Sequence, residues 1–298
     1  MKLTRLIFRL ILVFVFFISV WKTTGLIIQK TGNSTKTTIS AVSHLPSFLG
    51  NPVPEVSAKH IFILDRKSGE VLFARDADVE IYPASTTKMM TAIVAYEHFS
   101  LNQKIIVSRS YPEGTDIRLA PGEKLRISDL LYAALVQSAN DAAEVLAENY
   151  PGGREGFVAA MNKKAAVLSL RHTHFLNPTG LDETGHYSSA ADLTRIADYL
   201  LKNAYLTGIV STQNAVIASD DFSSYHPLSN VNELLGKVPG VTGIKTGFTD
   251  LAGESLVTLV NRDEHEVIFS IMGSDDRFGD SKQLIDWVYT SFTWLPYQ

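Results

Sequence analysis

Apolar and polar positions divide the chain into three stretches. Residues 10–21 are apolar apart from Ser19, and Lys2, Arg5 and Arg9 precede them. A basic start followed by a short apolar run is the pattern of an export signal. The run is shorter than the roughly 20 residues that a membrane-crossing helix needs. Extending it to 6–28 reaches that length only by including Arg9 and Lys22. It closes on the bulky Trp21, where a cleavage site calls for small residues. Residues 1–28 are therefore read as a signal peptide or an uncleaved N-terminal anchor with its basic side cytoplasmic. Residues 29–55 are rich in Ser, Thr, Asn and Pro without periodicity, which predicts a linker.

From residue 56 onward the pattern is dense. Apolar runs at 60–64 and 71–74 flank Lys67-Ser68-Gly69 and predict a hairpin. Helical spacing covers 86–99, 129–150 with an interruption near Ser138, 153–168, and 190–202 with Ser189 as N-cap. Runs at 254–260 and 266–272 flank Asn261-Arg262-Asp263-Glu264, a second hairpin. A last helix is predicted over 281–294, capped by Asp280. Strands at both ends with helices between them predict an α+β fold, an antiparallel β-sheet flanked by helices plus a mostly helical subregion.

Composition narrows the function classes. With 45% hydrophobic and 19% charged residues in 298, the chain has a packed core and is not disordered in bulk. A net charge of −4 leaves no basic excess for phosphates, so nucleic acid is not an expected partner. The absence of cysteine removes disulfides, thiol nucleophiles and cysteine-metal sites together.

Some motifs lead nowhere. Residues 240–247 have a glycine-rich look, but Ile244 precedes Lys245 where a phosphate loop needs glycine. His172 and His174 lack further metal ligands, no H-E-x-x-H occurs, and no metal or cofactor is expected.

Three short motifs carry chemistry. Ser85-Thr86-Thr87-Lys88 sits at a predicted helix start, where residues three apart share a face and unpaired N–H groups favour negative charge. Ser85 needs a base, and Lys88 can serve once burial or a second cation lowers its pKa. Ser138-Ala139-Asn140 interrupts an apolar helical stretch, which places polar side chains at a break. Lys245-Thr246-Gly247 is assigned to an edge strand, where glycine admits a substrate backbone and lysine and threonine can hold a carboxylate. Each motif alone has an ordinary structural reading. Together, in the order S-x-x-K, S-x-N, K-T-G, they match the set of the penicillin-binding proteins and class A β-lactamases.

At these residues the chain resembles the serine D-alanyl-D-alanine carboxypeptidases, the low-molecular-mass penicillin-binding proteins of peptidase family S11. The likeness extends to Tyr82-Pro83-Ala84 before the first motif, to Asn177-Pro178-Thr179-Gly180-Leu181-Asp182 with Tyr187-Ser188-Ser189-Ala190, and to Gly243-Ile244 and Phe248-Thr249-Asp250 around the last. It covers about residues 56–294. The resemblance implies a β-lactamase-like fold in which residues 56–298 form the catalytic domain, with the active site between the sheet and the helical subregion. It implies Ser85 as acylated nucleophile, Lys88 as base, Ser138 as proton relay, and Asn140 holding the substrate amide. Lys245 and Thr246 would bind the terminal carboxylate of D-Ala-D-Ala, with Gly247 and Phe248 also in the substrate-binding set. The N–H groups of Ser85 and Phe248 would form the oxyanion hole. Phe248 departs from the family, since some members carry histidine there. Many members also have a C-terminal β-domain and amphipathic helix, and none follows the last predicted helix, so membrane attachment is expected at the N-terminus.

The implied protein is an exported carboxypeptidase acting on peptidoglycan stem peptides and acylated by β-lactams, outside the cytoplasmic membrane. Three alternatives stay open. A β-lactamase would share the fold but need a deacylating glutamate, and neither Glu183 nor Glu233 stands in a recognisable context. An endopeptidase would use the same site on cross-links. A non-catalytic sensor of wall peptides or β-lactams would not need all of these groups intact.

Overall fold

The longest apolar runs become the middle of a sheet. In the computed structural model, which describes residues 44–296, strands β2 His60–Asp65, β3 Val71–Arg75, β8 Val241–Thr249, β9 Gly253–Arg262 and β10 His265–Ser274 form one sheet. It is antiparallel throughout, in the order β3-β2-β10-β9-β8. The β9–β10 turn falls at Asp263 and Glu264, with φ +52° and +65°. Two left-handed central residues give the turn the twist that matches its strands.

Side-chain alternation along these strands separates two cores. On β9, Val257 and Leu259 enter one core, while Leu256 and Val260 enter the other. On β10, Ile268 and Met272 face the first, while Val267, Phe269 and Ile271 face the second. Both faces are covered, so the strands read as continuous apolar runs.

The first core joins the sheet to helices α1 Lys88–His98, α2 Ile127–Val136, α3 Asn140–Glu148, α4 Gly153–Val167 and α5 Ala190–Leu201, through residues such as Met90, Leu130, Leu146, Phe157 and Ile196. Ser189 caps α5 by accepting from the backbone N–H of Asp192. The second core lies under the last helix. The α+β architecture expected from the sequence is thus the one observed, with β8 at the sheet edge.

The end of the chain differs from expectation. The last helix spans Arg277–Ser291, with Asp276 as its N-cap accepting from Gly279 N. Asp280 is instead buried in the first turn, where it accepts from Ser57 Oγ, Ala58 N and Ser274 Oγ at 2.6–2.8 Å. Phe292–Pro296 leaves the helix and pairs antiparallel with His44–Phe48, inside the stretch whose composition reads as linker. Phe292, Thr293 and Trp294 prefer extended backbone, and Trp294 Nε1 donates to Asp65 Oδ2 at 2.7 Å.

Smaller elements had no clear pattern: the hairpins Lys104–Ile106 with Lys124–Arg126 and Asn214–Ala218 with Tyr225–Ser229, and the short helix Ala204–Val210. Each strand of the first pair buries a single apolar residue, too little for periodicity to register. Residues 1–28, read as signal or anchor, lie outside the described residues. Among the described residues no helix is long and apolar enough to cross a membrane.

Candidate active site

The first motif folds as a single turn of 3-10 helix, Ala84–Thr87, that runs directly into α1. Ala84 takes a left-handed backbone, φ +48°, and leaves Ser85 partly exposed on the turn. Lys88 begins the helix and is fully buried. Its Nζ lies 2.9 Å from Ser85 Oγ and donates to the carbonyl oxygen of Thr179 at 2.8 Å. The spacing of three residues therefore places amine and hydroxyl in contact.

The second motif is the break between α2 and α3. Ser138 stands at φ +64°, which ends one helix and starts the next. Its hydroxyl accepts from Lys245 Nζ at 2.9 Å. Asn140 opens α3 and is buried, with Nδ2 donating to the carbonyl of Glu113 at 2.8 Å. The other polar residues of the break serve structure. Gln137 accepts from Ser229 N, and Asp141 accepts from Ile117 N and Leu119 N.

The third motif lies on β8. Lys245 is only 2% exposed and Thr246 only 4%. Lys245 Nζ also donates to the carbonyl of Thr246 at 3.0 Å. A Cβ on Gly247 would stand 3.0 Å from Ala84 Cβ and 3.2 Å from Ser85 N, so the edge strand meets the Ser85 turn where glycine allows it. Phe248 follows, 59% exposed. Beside Asn140 and Thr179 opens a polar cavity of about 240 Å³.

The sequence profile of peptidase family S11, described as D-alanyl-D-alanine carboxypeptidase, matches residues 49–276. This chain belongs to the S11 peptidases. It is 32% identical over 249 residues to the D-alanyl-D-alanine carboxypeptidase DacF of Bacillus subtilis, covering 80% of this chain but 64% of that protein's length. It is 33% identical over 244 residues to a D-alanyl-D-alanine endopeptidase of Pseudomonas aeruginosa, covering 79% and 78% of the two chains. The crystal structure of a D-alanyl-D-alanine carboxypeptidase from Mycobacterium tuberculosis superposes with TM-score 0.76 at 32% identity, over 84% of this chain and 99% of that one.

In this S11 peptidase the electrostatics of the site follow from burial. Lys88 is held well below the ordinary lysine range by loss of solvent, and the nearby Lys245 pushes it further down. Asp141 and Glu144 oppose this. Burial, then Arg277, brings Lys245 down to about 7.

Sequence reasoning missed two groups of the site. Arg277, at the start of the last helix, donates from Nη1 to the carbonyl of Gly247 at 3.0 Å, and its buried Nε has no hydrogen-bond partner among the described residues. It is 30 residues from the motif it touches, and no local pattern marks it. Thr179 contributes a backbone oxygen, which has no side-chain signature. Its segment carries the family likeness without marking that oxygen.

The 177–182 loop reaches Lys88 because Gly180 has no side chain. Gly180 stands at φ +88°, and a Cβ there would run into the Ala84 carbonyl. The Asn177 side chain fixes the loop by accepting from Thr179 N and Gly180 N and donating to the Leu181 carbonyl. Gly180→Ala is expected to lower stability by at least about 1–2 kcal/mol, the cost of left-handed backbone alone. Urea unfolding measures it, and an unchanged midpoint would contradict the close docking of loop and turn.

Proposed function

We propose that this S11 peptidase is an exocytoplasmic serine D,D-carboxypeptidase that removes the terminal D-alanine from peptidoglycan stem peptides through a Ser85 acyl-enzyme. The observation that carries the reading is the buried Lys88 amine, depressed in pKa, 2.9 Å from a partly exposed serine hydroxyl. Such an amine is neutral often enough to act as base.

The steps follow from the placement of the groups. Lys88 Nζ takes the Ser85 proton as Oγ bonds to the carbonyl carbon of the penultimate D-alanine. Backbone N–H groups of Ser85 and Phe248 receive the oxyanion. The tetrahedral intermediate collapses by breaking the C–N bond. The leaving amine takes a proton from Lys88 by way of Ser138, whose hydroxyl Lys245 orients. Water then attacks the ester carbonyl carbon and gives a proton to Lys88; the bond from that carbon to Ser85 Oγ breaks, Lys88 returns the proton to Oγ, and the shortened peptide leaves. Asn140 holds the amide of the acyl part. Lys245 and Thr246 receive the terminal carboxylate, and Arg277, which donates to the Gly247 carbonyl, adds a fixed positive charge near them. The same acylation accounts for covalent inhibition by β-lactams.

Residues 56–298 are assigned as the catalytic domain, to which the strand His44–Phe48 adds, the rest of 29–55 as the connecting segment, and 1–28 as the signal or membrane anchor. An endopeptidase reading is supported by the Pseudomonas relative and would use the same groups on a cross-link. The deciding experiment is D-alanine release from a synthetic peptide ending in D-Ala-D-Ala, by the full-length protein and its Ser85→Ala variant. Serine-dependent release supports the proposal. A protein labelled by penicillin that releases no D-alanine from the peptide but opens D,D-cross-links would be an endopeptidase. Rapid penicillin turnover would mark a β-lactamase.

Lys245→Ala removes one charged donor from the carboxylate site. The second-order rate of acylation by a fluorescent penicillin is expected to fall about 10- to 100-fold, the worth of a hydrogen bond to a charged group. An undiminished rate would refute the assignment.

A further inference from the structure

His186 is buried and lies outside the three motifs. Its Nδ1 accepts from the backbone N–H of Leu176 at 3.2 Å, and its Nε2 stands 3.1 Å from Thr87 Oγ1. A backbone N–H only donates, so Nδ1 carries no proton. The ring is then neutral, with its hydrogen on Nε2 donated to the threonine hydroxyl. Burial agrees with this, pushing the imidazole down to about 4, with His174 and Arg154 adding to the effect. Phe175 packs edge-on against the ring at 5.8 Å.

The two partners belong to the two segments that meet at Lys88. Thr87 is the last residue of the nucleophile turn and precedes Lys88. Leu176 leads into the 177–182 loop, whose Thr179 carbonyl accepts from Lys88. Thr91 Oγ1 also donates to the Pro178 carbonyl at 2.6 Å, so this loop is docked along the start of α1. One imidazole thus spans the turn that carries the lysine and the loop that carries its acceptor.

The acceptor matters because a neutral amine has two N–H bonds and one lone pair. Committing one N–H to Thr179 leaves the lone pair free to face Ser85 Oγ. The same oxygen then holds the ammonium that forms when the proton moves. A shift of the loop relative to the turn would misdirect the lone pair while leaving the carboxylate site intact.

We propose that His186 is a positioning residue that sets the Thr179 carbonyl against Lys88 and thereby orients the amine toward Ser85. The proposal rests on the acyl-enzyme reading above.

The test compares His186→Leu with His186→Gln in the full-length protein. Leucine fills the space and makes neither bond. A glutamine amide can donate to Thr87 and accept from Leu176 N. His186→Leu is expected to lower both kcat for D-alanine release and the rate of penicillin acylation roughly 10- to 100-fold, the scale of about 1 Å of misplacement. KM should stay within about threefold, as for an interaction that acts on the chemical step. His186→Gln should recover most of the rate. Nitrogen NMR of histidine-labelled wild-type protein at pH 7, with the His186 ring assigned by through-bond correlation to its own backbone, should report a neutral ring protonated on Nε2.

A wild-type acylation rate in His186→Leu overturns the proposal, as does a loss confined to KM. A folded glutamine variant as slow as the leucine variant does the same. A ring that is charged or protonated on Nδ1 overturns it without any need for the variants to fold. Failure of the wild-type protein to acylate at Ser85 is a different result, and sinks the acyl-enzyme reading instead.

Discussion

Ser85→Ala is expected to abolish D-alanine release and covalent penicillin labelling together. The hydroxyl lies 2.9 Å from Lys88 Nζ, within reach of proton transfer, and alanine leaves nothing to acylate. Removing the nucleophile of a serine hydrolase costs roughly ten-thousand-fold or more in turnover. The fold should survive. The serine is partly exposed, and Lys88 keeps its bond to the Thr179 carbonyl. Intact mass after incubation with penicillin, with thermal unfolding as a folding control, gives the answer. A penicilloyl adduct on the folded variant would remove Ser85 from its role.

Lys88→Met tests the base. Methionine keeps length and apolar stem but has no amine, and loss of a general base costs about 10²–10⁴-fold in rate. Stability provides a second readout with a defined sign. In the native state Lys88 titrates well below 10.5, whereas in the unfolded chain it titrates near that value. Between the two values the unfolded chain holds a proton that the native protein lacks, so wild-type stability rises with pH across that window. Methionine has no such dependence. Groups that do not sense Lys88 cancel in the difference, which leaves Lys88 and its interaction with Lys245. Urea unfolding at neutral and at alkaline pH should show wild type gaining on Lys88→Met as pH rises towards 10.5. A pH-independent difference would mean that the buried lysine is charged in the native state, contrary to the role of base proposed for it.

Much of the site was legible because its geometry is local. Ser85 and Lys88 meet through helical spacing, and the polar cluster at Gln137–Asp141 announced the helix break. The apolar runs at 254–260 and 266–272 gave the central hairpin. Three features were not legible. The final helix ends at Ser291 because a strand at His44–Phe48 offers a pairing partner that no local pattern reveals. Asp276 rather than Asp280 caps it, since Asp280 is claimed by Ser57, Ala58 and Ser274. Asn140, expected to hold substrate, is also tied by Nδ2 to the Glu113 carbonyl, a contact 27 residues away.

By itself the sequence determined the α+β class, the edge strand, and the serine–lysine pair, because these depend on periodicities of two and of about 3.6 residues and on spacing within one turn. Only the tertiary structure decided what makes the pair reactive. Lys88 is depressed because elements distant in the chain bury it and bring Lys245 near. The oxygen that orients its amine lies 91 residues away, and the lysine that meets Ser138 is 107 residues from it. Desolvation and charge act through space, so no local pattern can carry them.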